Sequence, residues 1–244
     1  MSSSVHFPLQ PQDNSEFALR YGDGVVQFSL PQNVNAGVIN GRDSIRIEDV
    51  GAAVRHAVRN PTGSAPLAEI VRPGESVAIL VSDLTRSWCR SDAMVPVVVD
   101  ELVRAGVQDK DMLIVIAVGT HRSQTREEHA LLVTPGIMER IRVIEHHCRN
   151  AEFAYIGTTR FGTPVHINSE VAGADRIILT GGIVTHDMAG YGGGMKSILP
   201  GVSSYDTIMA HHKVSLGKQP GTLGETIGCG KTHGNLFYED IVEA

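Results

Sequence analysis

The chain has 244 residues, of which 42% are hydrophobic and 20% are charged. This length and balance are typical of a globular protein with a sizeable core, and they exclude collagen-like, coiled-coil and disordered proteins. The formal net charge is −6, and the aromatic residues are only 6 Phe, 5 Tyr and 1 Trp. Both features argue against a nucleic-acid partner, which would favour positive charge and stacking side chains.

Cysteine content and the start of the chain indicate a cellular compartment. The 3 cysteines, Cys89, Cys148 and Cys229, are odd in number and scattered, which fits a reducing compartment better than a disulfide framework. Residues 1–14 lack the basic start and apolar run of a secretory signal, and no stretch approaches the roughly 20 apolar residues of a membrane span. We therefore expect a cytoplasmic protein with no membrane partner.

The first third of the chain predicts an antiparallel hairpin, at about residues 15–31, and then one helix. Two short apolar runs flank residues 22–24 (GDG), which tolerate the positive φ angles of a tight turn. From Ser44 onward, apolar residues recur at helical spacing until residues 60–61 (NP), where proline disfavours helix. The recurring residues are Ile47, Val50, Val54 and Val58.

The middle of the chain predicts an α/β fold. Continuous apolar runs at residues 77–81, 112–118 and 177–179 are typical of strands covered on both faces, as in parallel sheets. Between the first two runs, a helical pattern begins at Asp92 and ends at Gly106, a glycine suited to terminate a helix. This order predicts a mostly parallel sheet flanked by helices. The helix residues expected to face the core are Met94, Val98, Leu102 and Val103.

Weaker patterns complete the expected elements. Residues 127–133 predict a helix, residues 143–144 a strand, and residues 239–243 the start of a connecting helix. His129 is interpreted as part of a solvated helix face. Residues 146–147 (HH) are interpreted as surface or turn histidines.

Polar segments follow the three strongest predicted strands. They occupy residues 82–86 (SDLTR), 119–122 (GTHR) and 180–186 (TGGIVTH). Any one of them alone is best explained as an ordinary polar turn. Because parallel strands place their carboxyl ends at one edge of a sheet, where ligands bind, three together favour a site. The side chains expected to converge are Asp83, Arg86, His121 and His186.

A glycine-rich segment at residues 189–201 (AGYGGGMKSILPG) is the densest motif of the chain. A glycine run before a helix lets backbone N–H groups approach an anion, so the segment predicts an anion site. It is not a Walker A loop, because Met195 and not glycine precedes Lys196. The glycines expected to contact the anion are Gly192, Gly193 and Gly194.

A second segment, residues 225–232 (ETIGCGKT), ends like a phosphate-binding loop. Its first position is Glu225 instead of glycine, and no hydrophobic strand precedes it, as such a loop requires. A phosphotransferase that uses Lys231 is therefore a weak alternative.

Metal-binding patterns are sparse in the sequence. Cys229 and His233 have the spacing of two zinc ligands, but no second Cys or His pair accompanies them, so a polar loop is favoured. His211 and His212 are adjacent. On a helix running from Ser203 they point about 100° apart, so at most one of them faces a given ion.

Four segments together resemble the nickel-dependent lactate racemase family. The resemblance runs in order from about residue 15 to the end of the chain, and residues 186–201 are its most specific part. The four segments are residues 83–86 (DLTR), 119–122 (GTHR), 181–201 (GGIVTHDMAGYGGGMKSILPG) and 204–212 (SYDTIMAHH).

The resemblance implies a cofactor and the residues that hold it. In this family a nickel pincer nucleotide is tethered covalently to a lysine, which corresponds to Lys196 here, and a histidine corresponding to His212 binds the nickel. The glycine run would let the main chain approach the nucleotide phosphate. Because separate cofactor-synthesis enzymes make this group, we expect its presence to depend on the host that produces the protein.

The resemblance also implies a reaction, the racemisation or epimerisation of a 2-hydroxy acid. His121 and His186 correspond to the paired acid and base, and imidazole suits both roles near neutral pH. Asp83 and Arg86 correspond to residues near cofactor and substrate, with Arg86 holding a carboxylate. One histidine would take the hydroxyl proton while a hydride passes from the α-carbon to the cofactor and returns on the other face.

The sequence also departs from the family pattern. Family members are longer and carry a second, C-terminal α/β domain that closes the cleft, so we expect this chain to be the catalytic N-terminal half of a two-domain enzyme or a truncated piece of it. Ser87 and Trp88 stand where many relatives have proline, which leaves malate, sugar acids and larger 2-hydroxy acids open as substrates. A non-catalytic cofactor- or nucleotide-binding module on the same scaffold is the alternative function.

Overall fold

The computed structural model describes residues 16–31, 33–34 and 46–244. The chain divides into two compact units, residues 1–46 and residues 47–244. Residues 1–15, which include the start of the predicted hairpin, and Ser44, the predicted start of a helix, lie outside the described residues.

The first unit contains the predicted antiparallel hairpin. Strand β1 (Glu16–Tyr21) pairs with β2 (Gly24–Ser29) across a two-residue turn. Gly22 in that turn has a φ of +57°, which two-residue hairpin turns require and glycine adopts without strain. The rings of Phe17 and Phe28 stack across the strands with centroids 5.5 Å apart, so an aromatic pair reinforces the register.

The second unit contains the α/β fold. Its helices are α1 (Val50–Arg59), α2 (Leu67–Ile70), α3 (Ser91–Arg104), α4 (Arg126–Val133), α5 (Pro135–Arg140), α6 (Ser169–Ala172), α7 (Tyr205–Lys213) and α8 (Leu236–Glu243). Its strands are β3 (Val77–Ser82), β4 (Met112–Ala117), β5 (Arg142–Glu145), β6 (Phe153–Thr158), β7 (Pro164–Asn168), β8 (Arg176–Leu179), β9 (Thr185–His186) and β10 (Gly190–Tyr191). Short 3-10 turns occur at Leu84–Cys89, Asp109–Asp111 and Gly194–Ser197.

A four-stranded parallel sheet in the order β5-β4-β3-β8 forms the centre of this unit. Every residue of β3 is buried, as its continuous apolar run predicts. Strand β8 lies at the edge, and Ile177 on it is 41% exposed. The prediction of two covered faces is confirmed in part for β8, since Ile178 packs against the core on one face and Leu179 against the core on the other.

Both faces of the sheet carry a hydrophobic core. On one face, Val95 and Leu102 of α3 join Ile79 of β3 in a single buried cluster. On the other, Leu80 of β3 packs with Val165 of β7. The carboxyl ends of β3 and β4 are thereby held rigidly side by side.

Helix boundaries follow local capping. Helix α1 begins at Val50, later than predicted, because the Asp49 carboxylate accepts a hydrogen bond from the Ala52 N–H at 2.8 Å and so starts the helix there. Helix α3 ends at Arg104, and Gly106 follows with a φ of +92°, as predicted. Val103, expected to face the core, is instead 42% exposed.

A third hydrophobic cluster joins α7 and α8 to the segment between β9 and α7. The antiparallel pairs β6–β7 and β9–β10 were not predicted, because their strands are short or lack a continuous apolar run. In the part of the chain that the structure describes, no helix is long and apolar enough to span a bilayer. The buried residues of the third cluster are Ala189, Leu199, Ile208, Ile227, Phe237 and Ile241.

Candidate active site

Asp83, Arg86 and His121 form one side of a cleft and are together called the strand wall. Asp83 and Arg86 follow β3, and His121 follows β4, the neighbouring parallel strand. His121 Nδ1 hydrogen-bonds the Asp83 carboxylate, whose side chain is fully buried. Arg86 Nη1 lies 3.1 Å from Asp83 Oδ1. One buried carboxylate therefore positions both a base and a cation.

The charge of Asp83 determines the tautomer of His121. Burial raises the pKa of the Asp83 carboxyl group, but hydrogen bonds from Thr85 and His121 outweigh it, so the pKa lies below its ordinary value. The ionised carboxylate can only accept hydrogen bonds, so His121 donates from Nδ1. In the neutral imidazole, Nε2 then carries the lone pair.

A second part of the cleft lining consists of His186, Lys196 and His212, which are together called the hairpin wall. His186 lies on β9, Lys196 in the 3-10 turn Gly194–Ser197, and His212 near the end of α7. Lys196 Nζ is 2.7 Å from His186 Nε2. Burial, helped by the positive charge of Arg86, lowers the pKa of Lys196 to about 8. The pKa of His186 is also lowered, by burial first and then by Lys196.

The other ring nitrogen of His186 has three polar neighbours. Nδ1 accepts hydrogen bonds from the backbone N–H groups of Met188, at 3.1 Å, and Ala189, at 3.2 Å. Asp187 Oδ1 lies 2.9 Å away from the same nitrogen, on a side chain that is 75% exposed. The backbone groups favour an unprotonated Nδ1 and the carboxylate favours a protonated one, so the two influences compete.

The adjacent histidines of α7 face different surroundings, as their spacing predicts. His211 is fully buried, and its Nδ1 lies 2.7 Å from Asp240 Oδ2. His212 Nδ1 lies 2.7 Å from the Ile208 carbonyl oxygen, to which it can only donate. His212 Nε2 therefore carries a lone pair, and His212 lines the cleft.

Close backbone packing explains part of the glycine run. Gly193 has a φ of +77°, and a Cβ atom there would lie 2.5 Å from the Gly182 carbonyl oxygen. Gly194 has a φ of +54°, and a Cβ there would meet nothing within 4 Å. The run leads into a four-residue 3-10 turn and not into a helix, since α7 begins only at Tyr205. The prediction of a glycine run directly before a helix is therefore wrong.

The two walls enclose a cleft of about 210 Å³. The expected convergence of the polar segments is thus found, with Asp83 behind His121 and hydrogen-bonded to it. His186 reaches the cleft from the β9–β10 hairpin, which lies outside the four-stranded sheet, and not from the end of a sheet strand. The functional candidates that line the cleft are Arg86, His121, His186, Gly192, Gly193, Lys196 and His212.

Comparison with known proteins identifies the relationship. A family model described as the lactate racemase N-terminal domain matches residues 21–224. The chain belongs to this family. Lactate racemase of Thermoanaerobacterium thermosaccharolyticum is 30% identical over 224 residues, which are 89% of this chain and 51% of the relative. Lactate racemase of Lactiplantibacillus plantarum is 34% identical over 190 residues, which are 77% of this chain and 42% of the relative.

Solved structures agree with the family assignment. The lactate racemase apoprotein from Thermoanaerobacterium thermosaccharolyticum matches with a TM-score of 0.78 and 28% identity, over 93% of this chain and 52% of that one. A Thermotoga maritima protein matches with a TM-score of 0.57 and 19% identity, over 78% of this chain and 46% of that one, and shows the shared fold alone. The chain spans about half the length of the curated relatives it matches.

Several buried polar residues of this lactate racemase N-terminal domain were missed in the sequence. His146, interpreted as a surface residue, is fully buried, and its Nε2 lies 2.9 Å from the Ser203 carbonyl oxygen. His129, interpreted as solvated, has a side chain only 15% exposed, with Nε2 3.0 Å from Glu145 Oε2. Their partners are distant in sequence, so no local pattern indicates them. Asn235 is also fully buried, and its place before an apolar helix is a capping signal that could have identified it.

The weaker motifs do not form separate sites in the described residues. No strand precedes the loop of residues 225–232, and Lys231 there is exposed. No further metal-binding side chain joins Cys229 and His233. In residues 16–31, 33–34 and 46–244, no group of three or more His, Cys, Asp or Glu could hold a metal ion. These findings give the phosphotransferase and zinc interpretations no structural support.

Proposed function

We propose that the chain is the catalytic N-terminal half of a cytoplasmic racemase or epimerase of 2-hydroxy acids, completed by a C-terminal domain. The observation that carries this proposal is the convergence of Arg86, His121, His186, Lys196 and His212 on one cleft. The family assignment and the lactate racemases among the relatives support the reaction class. The substrate is a small hydroxy acid, of which lactate is one candidate.

The strand wall provides a base and a carboxylate-binding group. His121 accepts the substrate hydroxyl proton at Nε2, and the Asp83 carboxylate stabilises the resulting imidazolium through Nδ1–H. Arg86 uses Nη1 to contact Asp83 and Thr85. Its remaining N–H groups are available to bind a substrate carboxylate in the forked geometry that guanidinium favours.

The hairpin wall provides the second acid/base group. His186 lines the same cleft as His121 and exchanges a proton with the substrate at Nε2. Conversion of the Lys196 amine to an amide would remove the positive charge that now lowers the pKa of His186. Attachment of a cofactor at Lys196 would therefore make His186 a better base.

The donor groups fit the nickel pincer nucleotide of the family. Lys196 presents a primary amine whose pKa is lowered to about 8, which suits a covalent tether. His212 presents an unprotonated Nε2, oriented by the Ile208 carbonyl, as a single imidazole ligand for nickel. Bound there, the group would supply a hydride acceptor beside the substrate α-carbon. Gly192 and Gly193 line the same cleft, where its nucleotide part would approach their backbone, whereas Gly194 lines a neighbouring pocket.

Racemisation by the full-length protein tests the acid/base assignment. In protein purified from its native cell, we expect His121→Ala and His186→Ala each to lower the rate of 2-hydroxy acid racemisation by about 10²- to 10⁴-fold, because each removes a proton-transfer group. His147→Ala, at an exposed position outside the cleft, is the control. Unchanged rates in both cleft variants would refute the role and favour a non-catalytic binding module.

Intact-mass analysis with nickel quantification tests the cofactor assignment. We expect an adduct on protein from the native cell that maps to Lys196 and disappears in Lys196→Arg. Lys213→Arg, which changes an exposed lysine at the end of α7, should keep the adduct. An active protein without an adduct at Lys196 would contradict the tether.

A further inference from the structure

The loop between β9 and β10 is held by a side chain that comes from far along the chain. Asn235 is fully buried at the start of α8, 45 residues after Gly190 in the numbering. Its Nδ2 donates to the carbonyl oxygens of Met188, at 2.8 Å, and Lys231, at 2.9 Å. Its Oδ1 accepts from the N–H groups of Phe237 and Tyr238. All the hydrogen-bonding groups of this amide are therefore used, which defines its orientation.

The peptide group that Asn235 holds is the one that contacts His186. The carbonyl of Met188 and the N–H of Ala189 belong to the same planar peptide unit. The oxygen end accepts from Asn235 Nδ2, and the N–H end donates to His186 Nδ1 at 3.2 Å. Holding one end of a rigid plane orients the other, and hydrogen bonds in such a chain polarise and strengthen one another.

The orientation of this peptide matters because two tautomers of His186 compete. The N–H groups of Met188 and Ala189 require a lone pair on Nδ1, which places the ring proton on Nε2. Asp187 Oδ1, 2.9 Å from Nδ1, favours the opposite tautomer from an exposed position. Nε2 faces Lys196 Nζ at 2.7 Å. A proton on Nε2 therefore requires Lys196 to accept a hydrogen bond from it, which only the uncharged amine can do.

We propose that Asn235 is a positioning residue for His186, which holds the Met188–Ala189 peptide so that the proton of the neutral imidazole lies on Nε2, on the cleft side. Capping α8 needs only the Oδ1 of this residue, and Asp or Ser would serve as well. The Nδ2 contact to Met188 is the additional feature that capping leaves unexplained. The catalytic meaning of the tautomer rests on the proposed racemase function, in which an Nε2 proton makes His186 a hydrogen-bond donor to the substrate oxygen, and Nε2 accepts a proton only in the other tautomer. The tautomer itself does not rest on that function.

The test compares asparagine residues that have the same capping role. Asn235→Asp keeps the capping oxygen and loses the Nδ2 donor, and Asn235→Ser does the same without adding a charge. Asn168→Asp is the matched control, because Asn168 is also buried and caps α6 through Oδ1, with the Glu170 N–H at 3.0 Å, away from the β9–β10 loop. The readout is the ¹⁵N chemical shift of each histidine ring nitrogen in the labelled chain without cofactor or substrate. The ring signals of His186 are identified as those that disappear in His186→Gln.

We expect His186 Nε2 to be protonated and Nδ1 unprotonated in the original chain and in Asn168→Asp, at about pH 9.5. At that pH an ordinary imidazole is neutral and so is the Lys196 amine, whose pKa is about 8. In both Asn235 variants, we expect the ratio of these tautomers to fall roughly five-fold, as loss of one net hydrogen bond implies. Should Asn235→Asp fail to fold, Asn235→Ser carries the test.

Two results would overturn the proposal. One is a proton on Nδ1 in the original chain, and the other is an unchanged His186 ring in an Asn235 variant that melts cooperatively. Because neither measurement involves turnover, failure here is distinguishable from failure of the racemase proposal.

Discussion

The two walls of the cleft support similar side chains in different ways. In the strand wall, His121 meets the buried carboxylate of Asp83, on loops that leave adjacent strands of the central sheet. In the hairpin wall, His186 meets backbone N–H groups and the amine of Lys196, on a hairpin with two-residue strands. His121 thus faces an ionised carboxylate, whereas burial, together with the charge of Lys196, lowers the pKa of His186. Histidines that look equivalent in the sequence therefore have different surroundings.

This asymmetry bears on a reaction that must run from both faces of one carbon. A racemase needs comparable proton transfer on each side, and burial and the charge of Lys196 lower the pKa of His186. Lys196 is the residue to which the family's cofactor would be joined, so attachment would remove one of these two causes. In this view, cofactor attachment at Lys196 and activation of His186 are one event.

The largest expected effect comes from replacing the carboxylate beside each histidine, which tests whether the two walls differ. In the full-length protein, we expect Asp83→Asn to lower the kcat/KM of racemisation by about 10²- to 10⁴-fold, because an amide no longer stabilises the imidazolium of His121. Asp187→Asn is the matched change at the hairpin wall. Its carboxylate is exposed, so we expect a change of only about two- to three-fold from a well-solvated charge. Equal losses in the two variants would remove the distinction between the walls.

A second test concerns how the hairpin wall is held. Gly190 has a φ of +77°, and a Cβ there would lie 2.0 Å from the Lys231 carbonyl oxygen. Gly221 has the same φ of +77°, with nothing within 4 Å of an added Cβ. We expect Gly190→Ala to lower the free energy of unfolding by about 3 kcal/mol and Gly221→Ala by about 1 kcal/mol, as measured by urea denaturation. Both variants place alanine at the same strained φ, so the difference between the two losses measures the contact of the new Cβ with the Lys231 carbonyl oxygen. Equal losses would show that residues 228–235 do not restrain the hairpin.

The same contrast separates what the sequence could predict from what it could not. The strand wall was predictable, because a continuous apolar run identifies each buried strand and parallel strands bring their carboxyl ends together. Asp83, Arg86 and His121 follow from that rule alone. His186 was expected at the same edge, but the hairpin that carries it was not predicted, because two-residue strands have no periodicity to detect.

The supporting contacts of the hairpin wall were less predictable still. Asn235 and Asp240 act through hydrogen bonds to residues distant in sequence, and such pairings are set by tertiary packing. Family resemblance identified Lys196 and His212 as candidates, since adjacent histidines alone could not show which one faces the cleft. A single sequence can therefore suggest the chemistry of this wall without showing what holds it in place.

The smallest expected effect concerns His146, which joins the two walls. The backbone N–H of His146 donates to the Ile116 carbonyl oxygen in β4 at 3.1 Å. Its ring Nε2 lies 2.9 Å from the carbonyl oxygen of Ser203, just before α7. Burial lowers the pKa of His146. Below about pH 6.5 the unfolded chain therefore binds a proton that the folded chain does not, and stability falls by up to about 1.4 kcal/mol per pH unit until the lowered pKa is reached.

Replacing His146 should remove this pH dependence while keeping the bond between the walls. His146→Gln retains an N–H donor for Ser203 but cannot bind a proton. Between about pH 6.5 and 5, we therefore expect its free energy of unfolding to fall less steeply than that of the original chain. The two slopes should differ by up to about 1.4 kcal/mol per pH unit. His56→Gln, at an exposed position of α1, is the control. Urea denaturation at several pH values measures both. His146→Gln and the original chain could instead show the same dependence of the free energy of unfolding on pH. That result would mean that His146 binds a proton as readily in the folded protein as in the unfolded chain, which contradicts a buried neutral imidazole between the walls.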